Sequence, residues 1–227
     1  MPEGLFMPFA ANHQYAEKLR HQLSASEPLK KSLWQQTIKE KIGNQYENLR
    51  RHGIKADNLL YWKKQVRSGD PDNYEGRAAA YYWKVVFGED RPFKRWRDGV
   101  PPNNLLNYGY AVLRAVVARS LVGSGMLPAV GIHHRNKYNP FCLADDIMEP
   151  YRPFVDELIL KITEMFNEDE IMDMSKEVKA ELLRIPALDV FIDGQSSPLM
   201  VAAGRTTASL MQCFEGERRK ILYPTTG

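Results

Sequence analysis

The sequence predicts a mainly α-helical fold, a helical bundle with at most a short strand or hairpin, and three observations carry that prediction. Apolar residues recur at three- and four-residue intervals along most of the chain, as buried helix faces require. Gly, Pro and Ser fall where helices would begin and end. One stretch alone, "LDVFIDGQ" at 188–195, reads as a strand followed by a turn.

The elements follow in order. A short helix is expected from about Gln14 to Ala25. A long one follows, in which Leu29, Leu33, Ile38, Ile42 and Leu49 share a face. Pro28 suits its first turn, where a missing N–H costs nothing, and Gly53 suits its stop behind Arg50, Arg51 and His52. Lys55 to Arg67 forms the next helix, and the turn "SGDPDN" precedes another from about Asn73 to Phe87. After the charged, proline-rich "GEDRPFKRWRDGVPP", Leu106, Tyr110, Leu113, Val116 and Val117 mark a well-buried helix that "GSG" at 123–125 ends. A helix from about Leu143 to Phe166 is loosened near Pro150 and Pro153. Ser175 is placed to cap a helix through Leu183, and Ser197 one from Pro198 to about Glu215.

Composition narrows the class. At 227 residues, 44% hydrophobic and 26% charged, the chain has the makeup of a globular protein able to bury a substantial core. A net charge of +3 announces no general nucleic-acid binder, so any basic footprint is local. Cys142 and Cys213 are too few for a disulfide framework and lack metal-ligand spacing, which points to a reducing compartment. There is no signal-peptide pattern and no apolar run long enough for a bilayer, so a cytoplasmic protein without membrane association is expected.

The chemistry gathers in "GIHHRNKYNPFCLADDIMEP", residues 131–150. On a helix, Asp145 or Asp146 can share a face with Glu149, downstream of His133 and His134 on a loop-like segment. A histidine nitrogen with carboxylate oxygens suits Mg²⁺ or Mn²⁺ with positions left for water and phosphate. Zinc would recruit more cysteine or histidine. The other reading is a polar loop running into a helix whose early acidic residues complement its dipole. Glu75, three residues after Asp72, has the spacing of a variant capping box, or it points into a shared cleft as a ligand. Basic and aromatic residues interleave in "RPFKRWRDG" (91–99) and "HHRNKY" (133–138), which is either a phosphate- and base-contacting surface or a solvated loop. Lys30, Lys31, Lys39 and Lys41 are expected to solvate a helix face.

Three segments, "YEGRAAAYYW", "NNLLNYGYAVLRA" and "GIHHRNKYNPFCLADDIMEPYRPFVDELI", resemble in order and spacing the signature segments of the CRISPR-associated adaptation integrase/endonuclease (Cas one) family. The wording is closest to the branch from type II systems, and the resemblance runs from about Gly4 to the C-terminus. It implies a helical catalytic lobe with Mg²⁺ or Mn²⁺ held by Glu75, His134 and Glu149, and Asp146 as a supporting or auxiliary ligand. Glu149 stands where many relatives carry aspartate. The implied reaction joins prespacer DNA 3′-hydroxyls to repeat phosphodiesters, with Arg77, Arg135, Lys137 and Tyr138 as DNA contacts.

Double-stranded and branched DNA and the small protein Cas two are the implied partners. An effector nuclease and other adaptation proteins can join them, and full-length family members form a homodimer. By the same resemblance, residues 1–9 read as the junction after an absent N-terminal β-rich domain, and 10–227 as the catalytic domain. Two rivals stand beside this reading: a helical histidine–aspartate metal phosphohydrolase, and a non-catalytic DNA-binding scaffold. The first normally needs a contiguous His–Asp pair, which the sequence lacks.

Overall fold

A computed structural model describes residues 14–88, 93–96 and 99–226. The junction expected at 1–9 lies outside them, as do Arg91 and Arg97 of the first basic loop. Ten α-helices and one hairpin make up the described chain. They are α1 (Tyr15–Ser24), α2 (Glu27–Arg51), α3 (Asp57–Gln65), α4 (Tyr74–Val85) and α5 (Asn103–Gly123), then α6 (Cys142–Met148), α7 (Arg152–Met165), α8 (Glu168–Met172), α9 (Lys176–Leu182) and α10 (Leu199–Glu215). Strands β1 (Asp189–Ile192) and β2 (Gln195–Pro198) pair antiparallel just before α10. The mainly α prediction holds, hairpin included.

Two long helices organise the bundle. α2 begins at Ser26, whose hydroxyl accepts the Leu29 N–H, with Pro28 in the first turn as expected. Its buried face carries Leu33, Trp34, Ile38, Ile42 and Leu49, and packs on α3, α4 and α7. α5 buries Leu105, Leu106, Leu113, Val117 and Leu121 against α6, α7 and α10. At Gly109 a Cβ would stand 2.8 Å from Val155 Cγ1, so glycine is what lets α5 and α7 approach this closely.

Polar pegs fix α2 lengthwise. Asn44 donates to the carbonyls of Pro150 and Pro224, at 2.8 and 2.9 Å, and Asn48 donates to Tyr82 Oη and to the Pro153 carbonyl. Each is a buried group with a partner, so the register of α2 against the 149–153 segment is set by bonds that are expensive to leave unmade.

Three local expectations need correction. The predicted 143–166 helix is divided into α6, a 3₁₀ turn at Glu149–Tyr151 and α7, because Pro150 and Pro153 withhold the N–H groups that would continue one ladder. Ser197 caps nothing: it lies in β2, and α10 starts after Pro198 without a side-chain cap. The short α8 escaped prediction, although Asn167 and Glu170 close a capping box at its start.

Candidate metal centre

The site is assembled from α2, α4, the 131–136 loop and the 3₁₀ turn after α6. Glu75 comes first. The capping box expected of Asp72 and Glu75 does not form. Asp70 accepts the N–H groups of Tyr74 and Glu75, Asn73 accepts that of Gly76, and Asp72 pairs with Arg67 instead. The start of α4 is therefore capped without the Glu75 side chain, whose carboxylate reaches across to α2.

There it meets Lys41. The Lys41 Nζ lies 2.7 Å from Glu75 Oε1 and 2.5 Å from Glu149 Oε2, so one ammonium joins two glutamates that are 74 residues apart in sequence. The expectation that Lys41 only solvates a helix face is wrong. Its side chain is 8% exposed, and it lies in the buried stripe of α2, one turn after Thr37 and Ile38 and one before Asn44 and Gln45. That spacing is the signal that could have found it. Burial works against its charge, but Glu149 and Glu75 outweigh burial and raise its pKa above the usual lysine value.

Glu149 is itself buried in the 3₁₀ turn. Arg152 Nη2 stands 2.9 Å from its Oε1. Burial pushes the carboxyl up, yet Arg152 and Lys41 together hold it below the ordinary range, so it is an anion. Its Oε2 lies 2.5 Å from the Lys41 ammonium and has no other hydrogen-bond partner among the described residues.

His134 is held from behind. Asp146 is fully buried, and one of its oxygens, Oδ2, accepts the N–H groups of Ile132 and His133 at 2.8 and 2.9 Å. The other, Oδ1, takes the His134 N–H and lies 2.5 Å from His134 Nδ1. With Nδ1 engaged, Nε2 is the ring nitrogen left to act. The bond to Asp146, against burial, raises the His134 pKa. A Cβ at position 131 would fall 2.4 Å from the His134 carbonyl and 2.8 Å from Asp146 Oδ2, so this turn requires Gly131. His133 is used otherwise: its ring stacks on Trp34 at 4.0 Å, and burial lowers its pKa. Asp145 pairs with Arg114 and accepts from Asn139.

The three expected ligands are thus brought to one region: Glu75 and Glu149 meet on Lys41, and His134 and Glu149 are near enough to bias each other's ionisation. Among the described residues, no three His, Cys, Asp or Glu side chains close on a common point as they stand. The donor set nonetheless fits a divalent cation. It offers two carboxylates and a histidine oriented by a carboxylate, and a cation, the Lys41 ammonium, already sits between the two anions. Asp146 has both oxygens committed to the loop, which matches a supporting role rather than that of a ligand.

The predicted DNA contacts ring the exposed side of the loop and α4. Arg77, Arg135, Lys137 and Tyr138 are all exposed, Tyr138 at 82%. Lys137 lies over the Tyr138 ring and Arg77 over Tyr74, whereas Arg135 is paired with Glu27. The described part of the other basic loop also presents Lys94 over an exposed Trp96. Among the described residues no helix is long and apolar enough to cross a membrane.

This arrangement of helices is one already seen in solved structures. The backbone matches a chain of a partial Cas6-RT-Cas1–Cas2 complex with a TM-score of 0.80 at 19% identity, covering 97% of this chain and 76% of that one. A casposase bound to its integration product matches with a TM-score of 0.75 at 18% identity, covering 92% and 71%. At those identities the likeness is one of fold. Sequence supplies the rest: the profile described as CRISPR associated protein Cas1 matches residues 1–191. The CRISPR-associated endonuclease Cas1 of Neisseria meningitidis serogroup C (strain 8013) is 38% identical over 212 residues, covering 92% of this chain and 68% of that protein. The chain belongs to the Cas1 family.

Proposed function

We propose that this chain is the catalytic part of a metal-dependent DNA integrase/endonuclease of CRISPR spacer acquisition. Mg²⁺ or Mn²⁺ would be held by Glu75, His134 and Glu149. The observation that carries the reading is the meeting of Glu75 and Glu149, from distant parts of a Cas1-family chain, on one cationic group beside a histidine anchored by Asp146. Membership of the family, a relative named an endonuclease, and the fold of a casposase solved with its integration product support it.

In the reaction proposed, a prespacer 3′-hydroxyl attacks a repeat phosphodiester. A new O–P bond forms, the original P–O3′ bond breaks, and the departing 3′-oxygen gains a proton as the attacking one loses its own. A bound divalent cation supplies positive charge for the attacking oxygen and for the crowded phosphorus. Asp146 fixes the His134 tautomer, so that Nε2 faces the reacting centre without reorienting. Arg152 keeps Glu149 anionic. Lys137 and Arg77 neutralise flanking phosphates, and Tyr138 stacks on a displaced base. The fold shared with a Cas1–Cas2 assembly supports Cas2 as the partner that spaces two such sites.

The test is strand transfer of a branched DNA substrate with Mn²⁺, comparing the native chain with Glu75→Gln, His134→Ala and Glu149→Gln. Each variant should lose both joining and cutting, by about 10²-fold or more. Joining by any of them at the native rate contradicts the proposal.

A further inference from the structure

We infer that Lys41 is the resident counter-ion of this centre: its ammonium holds Glu75 and Glu149 together until a divalent cation displaces it. The inference rests on the proposed metal site and adds a residue that the ligand set does not contain.

Glu149 is almost wholly buried and Glu75 is half-buried, and both point at one position. Two ionised carboxylates cannot share a partly dehydrated space without a cation, because each raises the cost of ionising the other and one would otherwise keep its proton. Arg152 meets the first need by holding Glu149 Oε1, but among the described ion pairs it has none with Glu75. Lys41 alone, among the described ion pairs, touches both. Its stem is packed in the α2 stripe between Ile38 and Asn44, and the Asn44 bonds to Pro150 and Pro224 keep that stripe aligned with the turn carrying Glu149.

Ammonium and metal would compete for the same oxygens. A dication held by Glu75 and Glu149 would sit against the Nζ now 2.7 and 2.5 Å from their oxygens, and two cations packed together in a largely buried space repel strongly. Metal entry therefore requires the Lys41 side chain to move, which its flexible four-carbon stem permits. Lysine thus lowers the affinity of the site while keeping its ligands assembled. Lys41 is a positioning residue, acting through Glu75 and Glu149.

Thermal unfolding of the whole chain, in EDTA and across a Mn²⁺ titration, tests this with Lys41→Met and Lys41→Arg. In EDTA, Lys41→Met should melt below the native protein, because its carboxylates lack their cation. Its half-saturating Mn²⁺ concentration should fall about tenfold, since metal then meets two anions with no ammonium to displace. Lys41→Arg should melt near the native value in EDTA and need more Mn²⁺, the larger guanidinium being harder to expel. If native and Lys41→Met saturate at the same Mn²⁺ concentration, Lys41 is not the displaced ion and the inference is wrong, while the metal site itself stands. Should Lys41→Met fail to fold, Lys41→Arg decides, and an unchanged half-saturation overturns the inference. A native chain that shows no Mn²⁺ shift removes the metal site and this inference together.

Discussion

Asp146 and His134 share a hydrogen bond of 2.5 Å between Oδ1 and Nδ1, and the same aspartate ties the loop to α6 through the N–H groups of residues 132–134. Replacing Asp146 with asparagine swaps one acceptor oxygen for an N–H donor and sets donors against donors in a fully buried place. Asp146→Asn should cost about 2–4 kcal/mol in urea unfolding. It should also bring the His134 pKa, now raised by Asp146, back toward the ordinary histidine value in an NMR titration.

Gly131 makes that loop possible. Gly131→Ala places a methyl group against the His134 carbonyl, a backbone atom that cannot swing aside. A loss of about 1–3 kcal/mol is expected by chemical denaturation, on the scale of overpacking a tight site. Strand transfer should fall with it, because the displaced carbonyl belongs to a proposed ligand.

A second buried carboxylate lies behind the site. Asp156 on α7 accepts from Tyr110 and Tyr82, and burial pushes its pKa up to about 7. A carboxyl whose folded value is raised binds its proton in the folded state at pH values where the unfolded chain has already released it. Stability from this group is therefore lost as pH rises from about 4 to about 7, and is level beyond that. Asp156→Asn removes the titration. The stability difference between native and Asp156→Asn should shift by about 2–4 kcal/mol in favour of the variant between pH 5 and pH 8, measured by denaturant unfolding.

The exposed cations make a different kind of claim. Lys137 has no carboxylate partner among the described ion pairs, whereas Arg135 is held by Glu27. Lys137→Ala should weaken DNA binding across sequences and reduce the slope of log K against log salt by about 0.9, one phosphate contact. Fluorescence anisotropy at several salt concentrations gives both numbers.

Much of this was legible in the sequence, and the exceptions share a cause. Helices whose ends rest on local chemistry, such as α2 with Ser26 and Pro28 or α9 with Ser175, were found near their true bounds. Ser197 misled because its backbone was claimed by a strand partner, a tertiary fact that outweighs a capping preference. Glu75 had a local role available, and only the pair Asp70 and Asn73, doing that work instead, shows its carboxylate to be free for the site. Lys41 was missed for the same reason. Lysine is read as solvent-facing by habit of composition, and its place in a buried stripe acquires meaning only when two acidic residues arrive from elsewhere to meet it. The resemblance named Glu75, His134 and Glu149, with Asp146 in support; it did not name Lys41.

The most direct test of the account is thermal unfolding with titrated Mn²⁺, for the native chain and for Glu75→Gln, His134→Ala and Glu149→Gln. A site that binds only the folded state adds about 2.7 kcal/mol at a hundredfold excess over its dissociation constant. The account predicts that the native protein shifts by that order and that all three variants lose most of the shift. A Glu75→Gln protein that shifts as the native one does would show that Glu75 serves Lys41 alone, and that the three residues do not hold one ion.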